Sequence, residues 1–151
     1  MGIGSIEGNG DYFLGGKTLT VGGNDFSTTV SGVIQDGGVS GGTGGSLTKI
    51  GTGTLTLTGA NTYTGGTAIN AGTLQLGNRG TSGSVAGNIL DNGSLAFDRS
   101  DVSTFGGVIS GPGSVAQLGT GTTVLTANNP YAGGTTIASG STLQLGNGGP
   151  T

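Results

Sequence analysis

The chain has 151 residues, the length of a single domain, but its composition is unlike that of an ordinary globular domain. Glycine supplies 38 residues, hydrophobic residues make up 31%, charged residues make up 7%, and the net charge is −3. Low apolar content favours disorder, whereas frequent Thr, Val and Ile and a small net charge favour an ordered, β-rich fold.

The same composition excludes several functional classes. The sequence contains no Cys and no His, which removes disulfides, thiolate metal sites and the commonest general base. The cations Lys17, Lys49, Arg79 and Arg99 are scattered, and every apolar run is too short to form a membrane-spanning helix. We therefore predict a chain that is not an enzyme, with no cofactor, no metal, no nucleic-acid partner and no transmembrane segment.

Short alternating strands recur along the chain. Each begins with Ser or Thr, usually after Gly, and then has an apolar residue at every second position, so that one face is buried and the other is solvated. Gly, Asn and Asp lie at the junctions, as tight turns require. Further strands are predicted at 54–58 and 67–69. The starts of the alternating strands lie at similar but unequal intervals, near Thr18, Ser46, Thr73, Ser94, Ser114 and Thr142.

A longer repeat contains these strands. The sequence GSLTKIGTGT at 45–54 returns as GSVAQLGTGT at 113–122, and NTYTGGT at 61–67 returns with the same offset as NPYAGGT at 129–135. After one inserted residue near Ser141, TLQLGN at 73–78 returns at 142–147. We predict one β-helical segment over 1–151, with long repeats at about 46–113 and 114–151, that is a fragment of a longer protein.

The interval between successive strand starts suits one coil of a solenoid, which takes roughly 20–30 residues and holds two or three strands. Coils stacked about 4.8 Å apart would form parallel sheets and bury jointly what one coil cannot bury alone. The predicted fold is an all-β, right-handed parallel β-helix of about five to six coils.

The order of motifs in 46–76 closely resembles a known family. A Gly-Thr-Gly-Thr turn, an alternating strand, Asn-x-Tyr-x-Gly-Gly-Thr and a Leu-x-Leu strand are similar to the autotransporter-associated β-strand repeat, also called the passenger-associated transport repeat. The second copy, 114–145, departs from the pattern at Thr123 and Pro130. The residues of the motif to which we assign a structural role are Gly51, Gly53, Tyr63, Gly65, Gly66, Gly119, Gly121, Tyr131, Gly133 and Gly134.

The resemblance implies a surface-exposed passenger or stalk of a type V secreted protein of Gram-negative bacteria. In that family a signal peptide precedes the passenger and a C-terminal outer-membrane barrel anchors it; we expect neither within this chain. The implied function is structural: support of adhesion or aggregation, and help with passenger export and folding. Expected partners are surface glycans or proteins, with self-association through uncapped coil ends.

Several motifs allow other interpretations. Asp91, Asp98 and Asp101, with Arg99 nearby, are candidate acids of a polysaccharide-cleaving enzyme, but we favour solvated turns. Thr54, Thr56 and Thr58 suggest an ice-binding face, although Gln75, Ala96 and Gln144 are expected to interrupt it. Gly22–Phe26 faintly resembles a calcium repeat, and Gly16-Lys17-Thr18 lacks the glycine that a phosphate loop needs. Tyr63 and Tyr131 either close the coil, which we favour, or stack on glycans. A freestanding secreted ice-binding or fibre-forming module is the alternative function.

Overall fold

The computed structural model describes residues 4–146, which form an all-β solenoid of parallel strands without a helix. The strands are β1 (Tyr12–Phe13), β2 (Thr18–Val21), β3 (Thr28–Val30), β4 (Ile34–Gln35), β5 (Ser46–Lys49), β6 (Thr54–Leu57), β7 (Thr67–Ile69), β8 (Thr73–Gly80), β9 (Ile89–Asp91), β10 (Ser94–Arg99), β11 (Val102–Phe105), β12 (Ile109–Ser110), β13 (Ser114–Gln117), β14 (Thr122–Leu125), β15 (Thr135–Ile137) and β16 (Thr142–Leu145).

The strands line three sides of the solenoid. The first side is a sheet of β2, β5, β7, β9 and β12, and the second is a sheet of β3, β6, β8, β10, β13 and β15. The third side carries two shorter sheets, β1–β4 and β11–β14–β16. The strands of each sheet pair in parallel, so each turn of the chain stacks on the previous turn in the same direction. The predicted all-β parallel β-helix is confirmed.

The solenoid has about seven turns, and the predicted five to six is therefore too few. Most turns have similar lengths, as in the pairing of Leu47 with Thr67 and of Ser94 with Ser114. The longer stretch from Thr18 to Ser46 also makes a single turn, because it contains an extra loop. By contrast, the equally long stretch from Ser114 to Thr142 is more than one turn, since Ser114 lies on the second side and Thr142 on the third.

The long sequence repeat is out of phase with the solenoid. In the first copy, β5 and β6 lie on the first and second sides; in the second copy, their equivalents β13 and β14 lie on the second and third. Three turns lead from Leu47 to Ile109 on the first side, and the next residues lead to Val115 on the second. One full repeat therefore spans three turns and one further side, so the second copy is rotated by one side.

Apolar side chains at alternate strand positions fill the interior. On the second side, Leu55, Leu74, Leu95 and Val115 stack in register from one turn to the next and are almost fully buried. Burial of each such side chain contributes about 1.5–3 kcal/mol relative to exposure. Because each residue packs mainly on the turns before and after it, the core is a column that extends with each turn.

The loop in the longest turn is fastened by Asp36. Its carboxylate accepts hydrogen bonds from the Thr64 hydroxyl at 2.6 Å and from the backbone N–H groups of Gly44 and Gly45. The bond from Thr64, followed by those from the backbone, lowers the pKa of Asp36 below its usual value. The loop thus leaves the stack and returns to it without disturbing the next turn.

Candidate functional site

The Gly-x-Gly pairs of the repeat motif lie where one turn passes directly over the previous one. A Cβ atom at Gly51 would overlap the carbonyl oxygen of Gly22, and one at Gly121 would overlap that of Asp101. The same overlap would occur at Gly53 and Gly119. These corners therefore admit only a residue without a side chain, as long as the turns keep their spacing.

The two adjacent glycines of the Gly-Gly-Thr segment meet different requirements. A Cβ atom at Gly65 or Gly133 would overlap a carbonyl oxygen of the preceding turn. Gly66 and Gly134 instead have positive φ angles of 82° and 89°, a conformation that other L-residues adopt at a cost. The same division between the two glycines occurs in both copies.

The two tyrosines of the motif occupy equivalent positions. The Tyr63 hydroxyl lies 2.7 Å from the hydroxyl of Thr67, and the Tyr131 hydroxyl lies 2.7 Å from that of Thr135. Tyr63 is fully buried, and burial raises the pKa of its phenol above the usual value. Tyr131 is half-buried. This geometry favours coil closure at Tyr63 and leaves only Tyr131 partly accessible.

Comparison with known families identifies the motif. Residues 47–76 and 115–145 each match the passenger-associated transport repeat family. Two segments of the chain are thus similar to this repeat. This confirms the resemblance expected from the sequence.

One similar protein is named as an autotransporter adhesin. The chain is similar to the "Adhesin BmaC autotransporter" of Brucella suis biovar 1 (strain 1330), with 46% identity over 99 residues. The aligned part is 64% of this chain and 3% of that protein. No solved structure matches the chain significantly.

Each transport repeat places one long polar side chain inside the solenoid, which the sequence analysis missed. Lys49 is almost fully buried, and its ammonium group donates to the carbonyl oxygens of Ile50 at 2.7 Å and Gly51 at 2.9 Å. Burial lowers the pKa of Lys49, and the charge of Asp25 opposes this shift. In the second repeat, Gln117 takes the equivalent position and donates to the carbonyl of Gly119 at 3.1 Å.

The asparagine of the Asn-x-Tyr segment is a second missed element. The side-chain oxygen of Asn61 accepts from the N–H of Ile34 at 2.8 Å, and that of Asn129 accepts from the N–H of Ile109 at 2.7 Å. Because Ile34 lies on the third side and Ile109 on the first, the same bond recurs after rotation by one side. Asn61 also donates to the carbonyl of Gly59 at 3.0 Å. These bonds satisfy backbone groups that would otherwise be unpaired.

The candidate catalytic carboxylates have separate environments. The Asp91 side chain is buried at the end of β9 on the first side, whereas Asp98 lies at the end of β10 on the second. Asp101 follows β10 and forms an ion pair of 2.7 Å with Arg99, whose hydrogen bonds lower the pKa of Asp101. In residues 4–146 no hydrogen bond joins any two of these carboxylates. The expected solvated turn describes Asp101 but is wrong for Asp91 and Asp98.

The threonine positions form one partial row. Thr54, Thr73, Ser94 and Ser114 align on successive turns of the second side. At the next outward position Thr56 aligns with Gln75 and then Ala96, so these two residues interrupt the row as expected. Gln144 instead lies on the third side, beside Val124, and was wrongly assigned to this face.

The remaining motifs are accounted for by turns. Asp25, within Gly22–Phe26, accepts a hydrogen bond of 2.6 Å from the N–H of Thr52 on the next turn. Gly16 to Thr18 leads directly into β2. Residues 4–146 contain no group of three or more acidic side chains placed to hold a metal ion, and no helical segment with the length and apolarity of a membrane crossing.

Replacement of Tyr63 by Phe should lower the free energy of unfolding by about 1–3 kcal/mol, because the buried Thr67 hydroxyl loses its partner. Tyr131→Phe is the matched control and should have a smaller effect, since its bond is exposed. Urea unfolding followed by circular dichroism measures both. Equal effects would contradict the structural role assigned to Tyr63.

Gly121→Ala should destabilise the fold by about 1–3 kcal/mol, because the new Cβ meets the Asp101 carbonyl. Gly10→Ala is the control, since a Cβ there meets nothing within 4 Å and the φ angle is not positive. That change should be neutral or stabilise by up to about 1 kcal/mol. The same urea measurement applies, and a tolerated Gly121→Ala would refute the close stacking at this corner.

Asp91 should make stability fall as pH rises. Its side chain is fully buried, Oδ2 has no partner, and burial raises its pKa above the usual value. At a pH below the pKa of Asp91 in the unfolded chain, the side chain is protonated in both states and the fold has its full stability. As pH rises from there through the higher pKa of the folded state, that stability is lost. As pH rises, the free energy of unfolding of wild type should therefore fall relative to that of the Asp91→Asn variant, by up to about 1.4 kcal/mol per pH unit. A constant difference between pH 3 and pH 8 would contradict the raised pKa.

Proposed function

We propose that the chain is a structural, non-catalytic segment of an autotransporter passenger, at the bacterial cell surface or released from it. The observation that carries the proposal is the pair of transport repeats in one continuous parallel ladder. A relative named as an adhesin supports a passenger that serves adhesion or aggregation. The aligned part is only 3% of that relative, so the proposal concerns this segment and not the whole of that protein.

The side chains support a role without catalysis. The carboxylate of Asp101 is bound to Arg99, and that of Asp91 is enclosed in the interior. Hydrolysis of a glycosidic bond needs two carboxyl groups that face one another across the substrate. We therefore expect Asp101→Asn to change no activity of the passenger.

Help with export follows from the way in which the solenoid grows. Each new turn forms backbone hydrogen bonds with the turn directly before it, such as that from Thr122 to Asp101. Because each turn pairs with its immediate neighbours, stability accumulates turn by turn as the chain lengthens. A segment that emerges from a membrane thus folds turn by turn, and the folded turns oppose its return.

The test uses the full-length parent protein in its own bacterium. Gly53→Val with Gly121→Val should prevent the close stacking of both repeats, and Gly10→Val is the matched control at an open position. We expect the double variant to reduce the amount of passenger at the surface, measured with an antibody to a flanking epitope. Adhesion per displayed molecule then reports the adhesive role separately. Wild-type display and adhesion by the double variant would refute both roles.

The alternative, a fibre-forming module, is favoured by one observation. Ile137 and Leu145 on the last described strands are 51% and 73% exposed, and β15 and β16 are each paired on one edge within residues 4–146. Unpaired strand edges template association with another chain. We expect the isolated chain to form concentration-dependent oligomers in sedimentation velocity experiments. A monodisperse monomer at all concentrations would exclude fibre formation.

A further inference from the structure

An arginine lies at a position where this chain otherwise uses glycine. Among the described residues with positive φ angles, only Asp25 at 60° and Arg79 at 61° are not glycine. Such a conformation costs a non-glycine residue about 1–2 kcal/mol. In a chain with 38 glycines, a side chain at such a position calls for a specific reason.

Contacts of the Asp25 side chain explain its positive φ angle, whereas no contact within residues 4–146 explains that of Arg79. The Asp25 carboxylate accepts a hydrogen bond of 2.6 Å from the N–H of Thr52 on the next turn, and it attracts the buried charge of Lys49. Within residues 4–146 the guanidinium of Arg79 makes no hydrogen bond and no ion pair. Residues held in strained backbone conformations cluster at ligand sites and active sites.

A β-bulge directs Arg79 away from the stack. Between β8 and β10, Leu76 pairs with Phe97 and Gly80 pairs with Arg99, so β8 is longer than its partner over this interval. The extra length carries Asn78 and Arg79 outward, and both are exposed. Bulges beside functional sites commonly reorient a side chain in this way.

Arg79 borders a concavity of about 550 Å³ on the outer face of the second side. Asp98 is only 7% exposed; its Oδ2 accepts a hydrogen bond of 3.1 Å from the Gln75 amide, which also donates to the carbonyl of Gly77. Leu118 adds an apolar surface that is 43% exposed. The concavity is lined by Gln75, Asn78, Arg79, Asp98, Leu118 and Ala138.

We propose that this concavity binds a hexuronate residue of an acidic surface polysaccharide. The proposal rests on the adhesive function proposed above. A free guanidinium matches the two oxygens of a sugar carboxylate. The carboxylate of Asp98 and the amide oxygen of Gln75 accept hydrogen bonds from neighbouring sugar hydroxyls, because both N–H groups of Gln75 are already engaged. The amide of Asn78 donates to or accepts from a further hydroxyl, and Leu118 contacts the C–H face of the ring. An acidic peptide offers the carboxylate but not the hydroxyls.

The first test is titration calorimetry of the purified chain with trigalacturonate, triglucuronate and neutral trigalactose. We expect wild type to bind at least one of the two uronates and not the neutral sugar. Arg79→Gly should weaken binding about tenfold or more, by loss of a charged hydrogen-bonding pair. Because glycine relieves the positive φ angle, the same variant should be equally or more resistant to thermal unfolding. Lys17→Gln is the charge-matched control and should bind like wild type.

Other outcomes overturn the assignment. Wild type that binds neither uronate, an Arg79→Gly variant with unchanged affinity, or equal competition by a hexaglutamate peptide would each refute it. Adhesion of the full-length parent that carries Arg79→Gly separates the two proposals. If that parent still adheres and wild type binds no uronate, only the site fails; if even the wild-type parent does not adhere, the adhesive function fails.

Discussion

The hydrogen-bonded ladder between successive turns is the interaction on which the rest of the structure depends. It holds parallel strands about 4.8 Å apart, and every corner must pass over the previous corner at that distance. At Gly51 and Gly121 this leaves no space for a Cβ atom. The corners also turn carbonyl groups inward, and Lys49 and Gln117 donate to them from the core. The glycines at these corners and the two buried side chains that donate to them therefore have one common cause.

The strands could be predicted from the sequence, but the phase of the repeat could not. Alternation of apolar residues depends on local geometry and correctly placed Leu74 and Leu95 in the interior. The number of residues per turn depends on which strands pair. The spacing between two similar strands does not show whether they are separated by one turn that contains a loop or by one turn and one further side. Thr18 to Ser46 is the first case, and Ser114 to Thr142 is the second. This ambiguity made the predicted number of turns too small.

Some residues of the candidate site could be predicted from the sequence, and others could not. The motif identified Tyr63 and the Gly-Gly pairs, although only the structure separates close approach at Gly65 from positive φ at Gly66. Lys49 did have a signal, because it alternates with the buried Leu47. Arg79 had none: a bulge and a positive φ angle arise from the pairing of β8 with β10, and in the sequence the residue is only one of four cations.

Cysteine pairs test the rotated stacking most directly, because the chain contains no cysteine of its own. The hydroxyl oxygens of Ser94 and Ser114 lie 3.4 Å apart on adjacent turns of the second side. The double variant Ser94→Cys, Ser114→Cys should therefore form an intramolecular disulfide under mild oxidation. If the repeat instead spanned whole turns, Ser114 would lie on the first side with Asn88. A disulfide in Asn88→Cys, Ser114→Cys but not in the first pair would contradict the three-sided, one-side-rotated solenoid.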